Sequence, residues 1–216
     1  MAGTPTGTRL TREQSRAQTR ERLLDAARSV FARGGFHGAS VEEIASEAGF
    51  STGALYSNFD GKEDLFLELM GREVAKHSAE IAAAVRERAS IAERATGGAR
   101  QWMTMIERES ETLLLFTEFW AYGVRDEEMR AHVAACFAET RRLLTCLIDE
   151  GVRDFDLELA IPAEQLAIAI DALADGIARQ KLTDPQAVPD ELMGTVLSLL
   201  LGAVTRPAGT STRDAL

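Results

Sequence analysis

Apolar residues recur at helical spacing over almost the whole chain. Leu23, Leu24, Ala27, Val30 and Phe31 form one stripe, which predicts a helix from about Thr11 to Arg33, ended by Gly34-Gly35. Ser40 suits the N-cap of a short helix through Ala48, with Glu43 placed to complete a capping box and Gly49 to end it. Ser51 or Thr52 opens another helix, ending near Phe59, and Asp60-Gly61 makes a turn. A long helix starts at Lys62 and extends towards Ala89, apolar at Leu65, Leu69, Ala75, Ile81 and Val85. Thr96-Gly97-Gly98 reads as a break. Helices follow over 99–109, 111–123 and 126–150, the last apolar at Met129, Val133, Cys136, Phe137, Leu144, Leu147 and Ile148. Residues 151–161 read as a loop, and Pro162 opens the first of two final helices, 163–181 and 189–204. The expected fold class is all-α, about nine helices with no strand.

Composition narrows the function classes. No apolar run approaches the roughly 20 residues of a membrane span. The N-terminus, MAGTPTGTRL, has no secretion-signal core, so a cytoplasmic protein without membrane association is expected. The net charge of -10 argues against nucleic acid only until it is divided. Residues 1–60 carry seven Arg and seven acids, whereas residues 61–216 carry 17 basic and 27 acidic side chains. Arg12, Arg16 and Arg20 repeat every four residues and form one positive stripe, either solvated surface or a phosphate contact, Arg12 above all. Cys136 and Cys146 lie ten residues apart, about 15 Å on one helix, too far for a disulfide.

The informative stretch is SVEEIASEAGFSTGALYSNFDGK, Ser40 to Lys62. It places two short helices around Gly49, with the small Ala45 at the crossing and Ile44, Phe50, Leu55 and Phe59 as apolar contacts. This is the helix-turn-helix pattern, whose second helix enters the major groove. Tyr56 carries a hydroxyl able to reach a phosphate, against the plainer reading of a core tyrosine. Residues 22–69, with Ala-Gly-Phe-Ser, Gly-Ala-Leu-Tyr, Asn-Phe and Lys-Glu-Asp-Leu-Phe, resemble the DNA-binding region of the TetR/AcrR family of bacterial regulators. The resemblance implies phosphate contacts from Ser40, Tyr56 and Lys62. It also implies a groove-facing set of Thr52, Gly53, Ala54, Ser57 and Asn58, though Ser57-Asn58 departs from the aromatic or His common in the family.

The body of the chain has two further jobs to place. LLFTEFWAYGVRDEEMR and AIAIDALADGIARQ resemble parts of the family's regulatory domain. Leu166, Ile170, Leu173 and Ile177 form one stripe, and the last helix, with Val196 and Leu200, is apolar nearly all round. Family resemblance implies that these two helices pair with their mates in a homodimer. Trp102, Met105, Phe116, Phe119 and Trp120 gather large adaptable side chains, as a core or as a pocket for a small apolar or amphipathic effector. Glu118 beside them suits a cationic ligand.

No catalytic set, metal site or cofactor is expected. His132 and Cys136 lack a third ligand, and Asp154, Asp156 and Glu158 lack the spacing of a calcium loop. The domain reading is a tail at 1–10, a DNA-binding domain at 11–77, a ligand-binding and dimerisation domain at 78–205, and a tail at 206–216. The functional expectation is a repressor that leaves a pseudo-palindromic double-stranded DNA operator when an effector binds, the helix from Lys62 carrying the movement. The alternatives are a helix-turn-helix regulator controlled by a protein partner and, more remotely, a helical enzyme with a vestigial DNA-binding unit.

Overall fold

The structure, a computed structural model, describes residues 11–209, so the terminal segments predicted at 1–10 and beyond 209 lie outside the described residues. The chain divides into two compact units, Met1–Gly71 and Arg72–Leu216.

The first unit contains α1 (Arg12–Gly38), α2 (Val41–Ala48), α3 (Thr52–Tyr56) and the first turns of α4 (Lys62–Arg86). Thr11 caps α1 and exchanges hydrogen bonds with Gln14, so the capping box lies here and not at Ser40. Ser40 does accept from the Glu43 amide, but the Glu43 carboxylate turns to Arg33, 3.5 Å away. Gly35, at φ 67° and ψ 175°, leaves helical geometry inside α1, at the Gly-Gly pair read as its end. Gly49, at φ 75°, ends α2 in the left-handed conformation that glycine adopts without strain. The core is aromatic: the Phe66 ring meets Phe31 edge-on at 5.1 Å and Phe36 at 4.7 Å between centroids. Leu23, Leu24, Ile44, Leu55 and Leu65 are fully buried around these rings.

The second unit holds the rest of α4, then α5 (Ile91–Arg108), α6 (Ser110–Gly123), α7 (Glu127–Asp154), α8 (Ala163–Thr183) and α9 (Leu192–Val204). Nine helices are thus present among the described residues. The predicted break at Thr96-Gly97-Gly98 does not occur, because all three residues lie within α5. The glycines serve close packing: a Cβ on Gly97 would sit 2.8 Å from the Ala84 carbonyl oxygen of α4, and one on Gly98 3.0 Å from Val85. Two short strands, β1 (Leu157–Leu159) and β2 (Thr205–Pro207), replace part of the expected loop and the start of the expected tail. They pair antiparallel, Glu158 opposite Arg206, with that ion pair at 3.0 Å. Helix α5 packs on α9 and α7 on α8. The core between them includes Ala99, Met103, Ile106, Leu166, Ile177 and Leu197.

Candidate functional site

The helix-turn-helix is α2, the Gly49 turn and α3. Ile44, Ala45 and Leu55 seal its inner face, each at most 1 % exposed. Ser51 caps α3 by accepting from the Ala54 amide at 3.2 Å, which leaves Thr52, Gly53 and Ala54 as its first turn. Tyr56 is 57 % exposed, so the core-tyrosine alternative fails and its hydroxyl stands outside the fold. Ser57 and Asn58 turn back on their own helix: both donate to the Ala54 carbonyl at 2.8 Å, and Asn58 is half-buried.

Most of the basic side chains of this unit brace it. Arg20 reaches the Asn58 carbonyl, holds the Glu68 carboxylate with its Nε at 2.7 Å, and stacks on Phe59 at 4.1 Å. Arg16 donates to the Ser57 carbonyl at 3.3 Å and Arg22 to the Ala48 carbonyl at 2.9 Å. The Lys62 ammonium donates to the Phe36 and Ala39 carbonyls at 2.9 and 3.1 Å, beneath the Phe36 ring at 4.6 Å. An ammonium has three donors, so one remains for an outside acceptor. Arg12 is exposed and has no hydrogen bond or ion pair among the described residues. The stripe read from spacing therefore separates into one outward arginine and two braces.

The second unit holds a partly open cavity of about 150 Å³. Trp102, Phe116, Phe119 and Trp120 line it, as predicted, together with Val74, His77 and Ile81 of α4. Met105 and Glu118 are not on its wall; Met105 is wholly buried in the core. The acidic groups that do face the cavity are Asp171 and Asp175 of α8, which the sequence reading passed over. The available signal was two acids four residues apart within the otherwise apolar IAIDALADGI.

Behind His77 lies a buried charged network. The His77 ring contacts Glu109 at 2.9 Å, and Lys76 meets both Glu109 oxygens at 2.8 and 2.9 Å. Burial disfavours the Glu109 carboxylate, but the hydrogen bonds from Lys76 and His77 outweigh it and hold the group down at about 2. With Glu73, these side chains bring potential metal-ligand atoms within 4.8 Å of one another. The lysine already occupies the Glu109 carboxylate, so we read the cluster as an ion-pair network. His132 is exposed and does not join Cys136, which is half-buried on the cavity wall.

The final two helices divide their apolar residues differently from the predicted stripe. Leu166 and Ile177 are 0 % and 5 % exposed, inside their own unit, and Ile170 lines an internal cavity. Leu173, Val196 and Leu200 are half-buried. The large apolar side chains that α8 and α9 leave exposed are Ile168 and Leu199, at 48 % and 70 %. Of the predicted set, Leu166 and Ile177 belong to the core, and Leu173, Val196 and Leu200 lie between it and the exposed Ile168 and Leu199. No helix among the described residues is long and apolar enough to cross a membrane.

Comparison with known proteins agrees with the two-unit layout. Residues 23–69 match the family described as bacterial regulatory proteins, tetR family, and residues 91–205 match the C-terminal region of BetI-type transcriptional repressors. The transcriptional regulator UidR of Escherichia coli K12 is 30% identical over 190 residues, 76% of this chain and 95% of the relative. The transcriptional activator FasR of Mycolicibacterium smegmatis is 29% identical over 196 residues, 90% and 85% of the two chains. The crystal structure of Bacillus subtilis FadR in complex with stearoyl-CoA superposes at TM-score 0.69, with 18% identity, over 84% of this chain and 96% of that one. These relatives are regulators, which sets aside the helical-enzyme alternative. The chain belongs to the TetR family of bacterial transcriptional regulators, with a helix-turn-helix DNA-binding unit followed by a helical regulatory unit.

Proposed function

We propose that this regulator is a repressor, that it occupies a pseudo-palindromic operator as a homodimer, and that a small molecule bound in the aromatic cavity releases it. One observation carries the reading. Helix α4 starts at Lys62, beside the helix-turn-helix, and the same helix supplies Val74, His77 and Ile81 to the cavity wall. A ligand that repositions those side chains acts on a helix whose first turns belong to the DNA-binding unit. The ligand need only prefer the low-affinity arrangement. The FadR–stearoyl-CoA complex supports a cavity that takes ligands in this fold. The cavity itself speaks against control by a protein partner alone, because a filled core would serve that purpose.

At the DNA, Arg12, Ser40, Tyr56 and the remaining donor of Lys62 hold phosphates, while Thr52, Gly53, Ala54 and Ser57 face the groove. Asn58, bonded to the end of α3, sets the helix end more than it reads bases. At the dimer face, Ile168 and Leu199 lead the contact, and Gly176 and Gly202, which have open space where a Cβ would be, let two helices approach closely. The test is linkage: the effector's affinity is measured with and without saturating operator. A coupling of about 1–3 kcal/mol appears as a five- to 150-fold loss of ligand affinity on operator. Equal affinities would return the case to a protein-partner mechanism.

A further inference from the structure

We infer that the effector is an amphiphilic cation, its charged head beside Asp171 and Asp175 among the aromatic side chains and its aliphatic tail running past Trp102 into a second cavity. The inference rests on the effector-released reading above and gives its ligand a chemistry.

The second cavity, about 140 Å³, adjoins the first: Ile81, Trp102, Thr140, Leu144 and Asp171 line both. Its other walls are mostly aliphatic, with Val85, Ile91, Leu147, Ile148 and Leu197 among them; the charged exception is Arg94, which is held by Asp154 at 2.6 Å. Trp102 stands at the seam, its indole N–H donating to the Ala174 carbonyl of α8 at 3.3 Å. The two neighbouring cavities thus offer an aromatic, acidic half and a mostly aliphatic half on either side of shared walls, which suits a head and a tail.

The sign of the head follows from the charges. Asp171 is half-buried and makes no hydrogen bond or ion pair among the described residues. Asp175, one turn on, has Arg179 at 3.5 Å, and that guanidinium lies over the Trp120 ring at the rim. Burial, and then the like charge of Asp175, push the Asp171 carboxyl up to about 6 against the pull of Arg141. Burial likewise raises Asp175 against Arg179. A bound cation beside Asp171 supplies a direct partner where Arg141 acts only through its charge, and aromatic faces attract it further. A carboxylate in that place would meet two like charges, offset in part by Arg179 on the same wall. A neutral chain would leave the pair as it stands.

Both tryptophans of the chain, Trp102 and Trp120, are on this wall, so intrinsic fluorescence reports occupancy. The probes are decyltrimethylammonium, tetramethylammonium, decanol and decanoate, at neutral pH on the full-length protein. The decyl cation should quench saturably and bind about tenfold or more tighter than decanol or decanoate. Along the alkyltrimethylammonium series, affinity should rise by roughly fourfold per methylene until the aliphatic half is full. Asp171→Asn should weaken the cation by about tenfold and decanol far less. Its folding is checked by circular dichroism, and Asp175→Asn provides a second variant with a smaller loss. Equal binding of the three decyl probes, or an unchanged cation affinity in a folded Asp171→Asn, would overturn the inference. Tetramethylammonium binding as tightly as the decyl cation would overturn the tail. Operator affinity, on a duplex selected from a random pool, separates the two claims. Saturable cation binding without operator release sinks the effector reading and leaves the site. Release by decanoate or decanol alone keeps the effector reading and sinks the cation.

Discussion

Lys62 and Tyr56 look alike as phosphate contacts, yet the structure gives them different second roles. The Lys62 ammonium closes two backbone carbonyls at the end of α1, whereas Tyr56 is mostly in solvent. Lys62→Met should therefore lower stability by about 1.5–3 kcal/mol, the scale of hydrogen bonds to a charged group, besides weakening DNA binding. Tyr56→Phe should leave stability within about 0.5 kcal/mol and weaken binding to all duplexes alike. Urea denaturation paired with salt-dependent DNA titration distinguishes them; equal stability losses in both variants would refute the assignment. Glu109 gives a pH signature. Its folded value of about 2 lies below the ordinary 4.5, so the stability it contributes is complete above 4.5 and is lost as pH falls towards 2. Asp171 runs the other way: raised from 3.8 to about 6, it costs stability as pH rises through that window. Thermal midpoints of Glu109→Gln should consequently vary less between about pH 5 and pH 3 than those of the parent. A parallel pair of curves would mean that Glu109 is not held by Lys76 and His77.

At the scale of elements, helix existence and order were legible because apolar positions keep a helical period in the longer helices, while the five-residue α3 was marked by its cap at Ser51. What escaped the sequence has local physical causes. Gly97-Gly98 has the composition of a break, but the glycines are there because the Ala84 carbonyl and Val85 leave no room for a Cβ, and only the neighbouring helix reveals that. Helix propensity alone predicts that Gly97→Ala gains up to about 1 kcal/mol. Backbone contact at 2.8 Å reverses the sign, and a net loss of about 1–3 kcal/mol is expected, read from the urea midpoint. A stabilised variant would show that α4 and α5 yield easily. Strands of three residues are too short to display alternation, so β1 and β2 left no trace in the pattern. In α8 and α9 the period could not separate inward from outward residues, since apolar side chains occur on both faces: Leu166 and Ile177 are buried, Leu173, Val196 and Leu200 half-buried, and Ile168 and Leu199 exposed. The cavity's aromatic residues were legible as a cluster. Its acids were not, because i,i+4 carboxylates usually mark a solvated face.

At the scale of the molecule, charge sets the approach to DNA. With 27 acids against 17 basic residues beyond position 60, the body repels phosphate, and attraction is left to a few outward cations such as Arg12. Affinity should fall steeply with salt, and Arg12→Ala should reduce the logarithmic salt slope by about one. An unchanged slope would place Arg12 away from the phosphates. Dimerisation is tested at the exposed apolar positions: Ile168→Asp with Leu199→Asp should sediment as a monomer and lose operator affinity. Leu166→Asp should instead unfold the second unit, whose core it fills. A parent protein that sediments as a monomer at micromolar concentration would refute the two-fold arrangement.

The pairing of β1 with β2 has a consequence for synthesis. Glu158 and Arg206 meet across 48 residues, so the regulatory unit cannot close its last ladder until nearly the whole chain has left the ribosome. The helix-turn-helix, complete within the first 71 residues, emerges earlier. At about 5–20 residues per second, the interval is on the order of ten seconds. During it, the helix-turn-helix segment is outside the ribosome while the regulatory unit is still incomplete. On the proposed dimeric reading, such a chain offers one recognition helix where an operator needs two, so a half-made regulator does not yet hold a promoter.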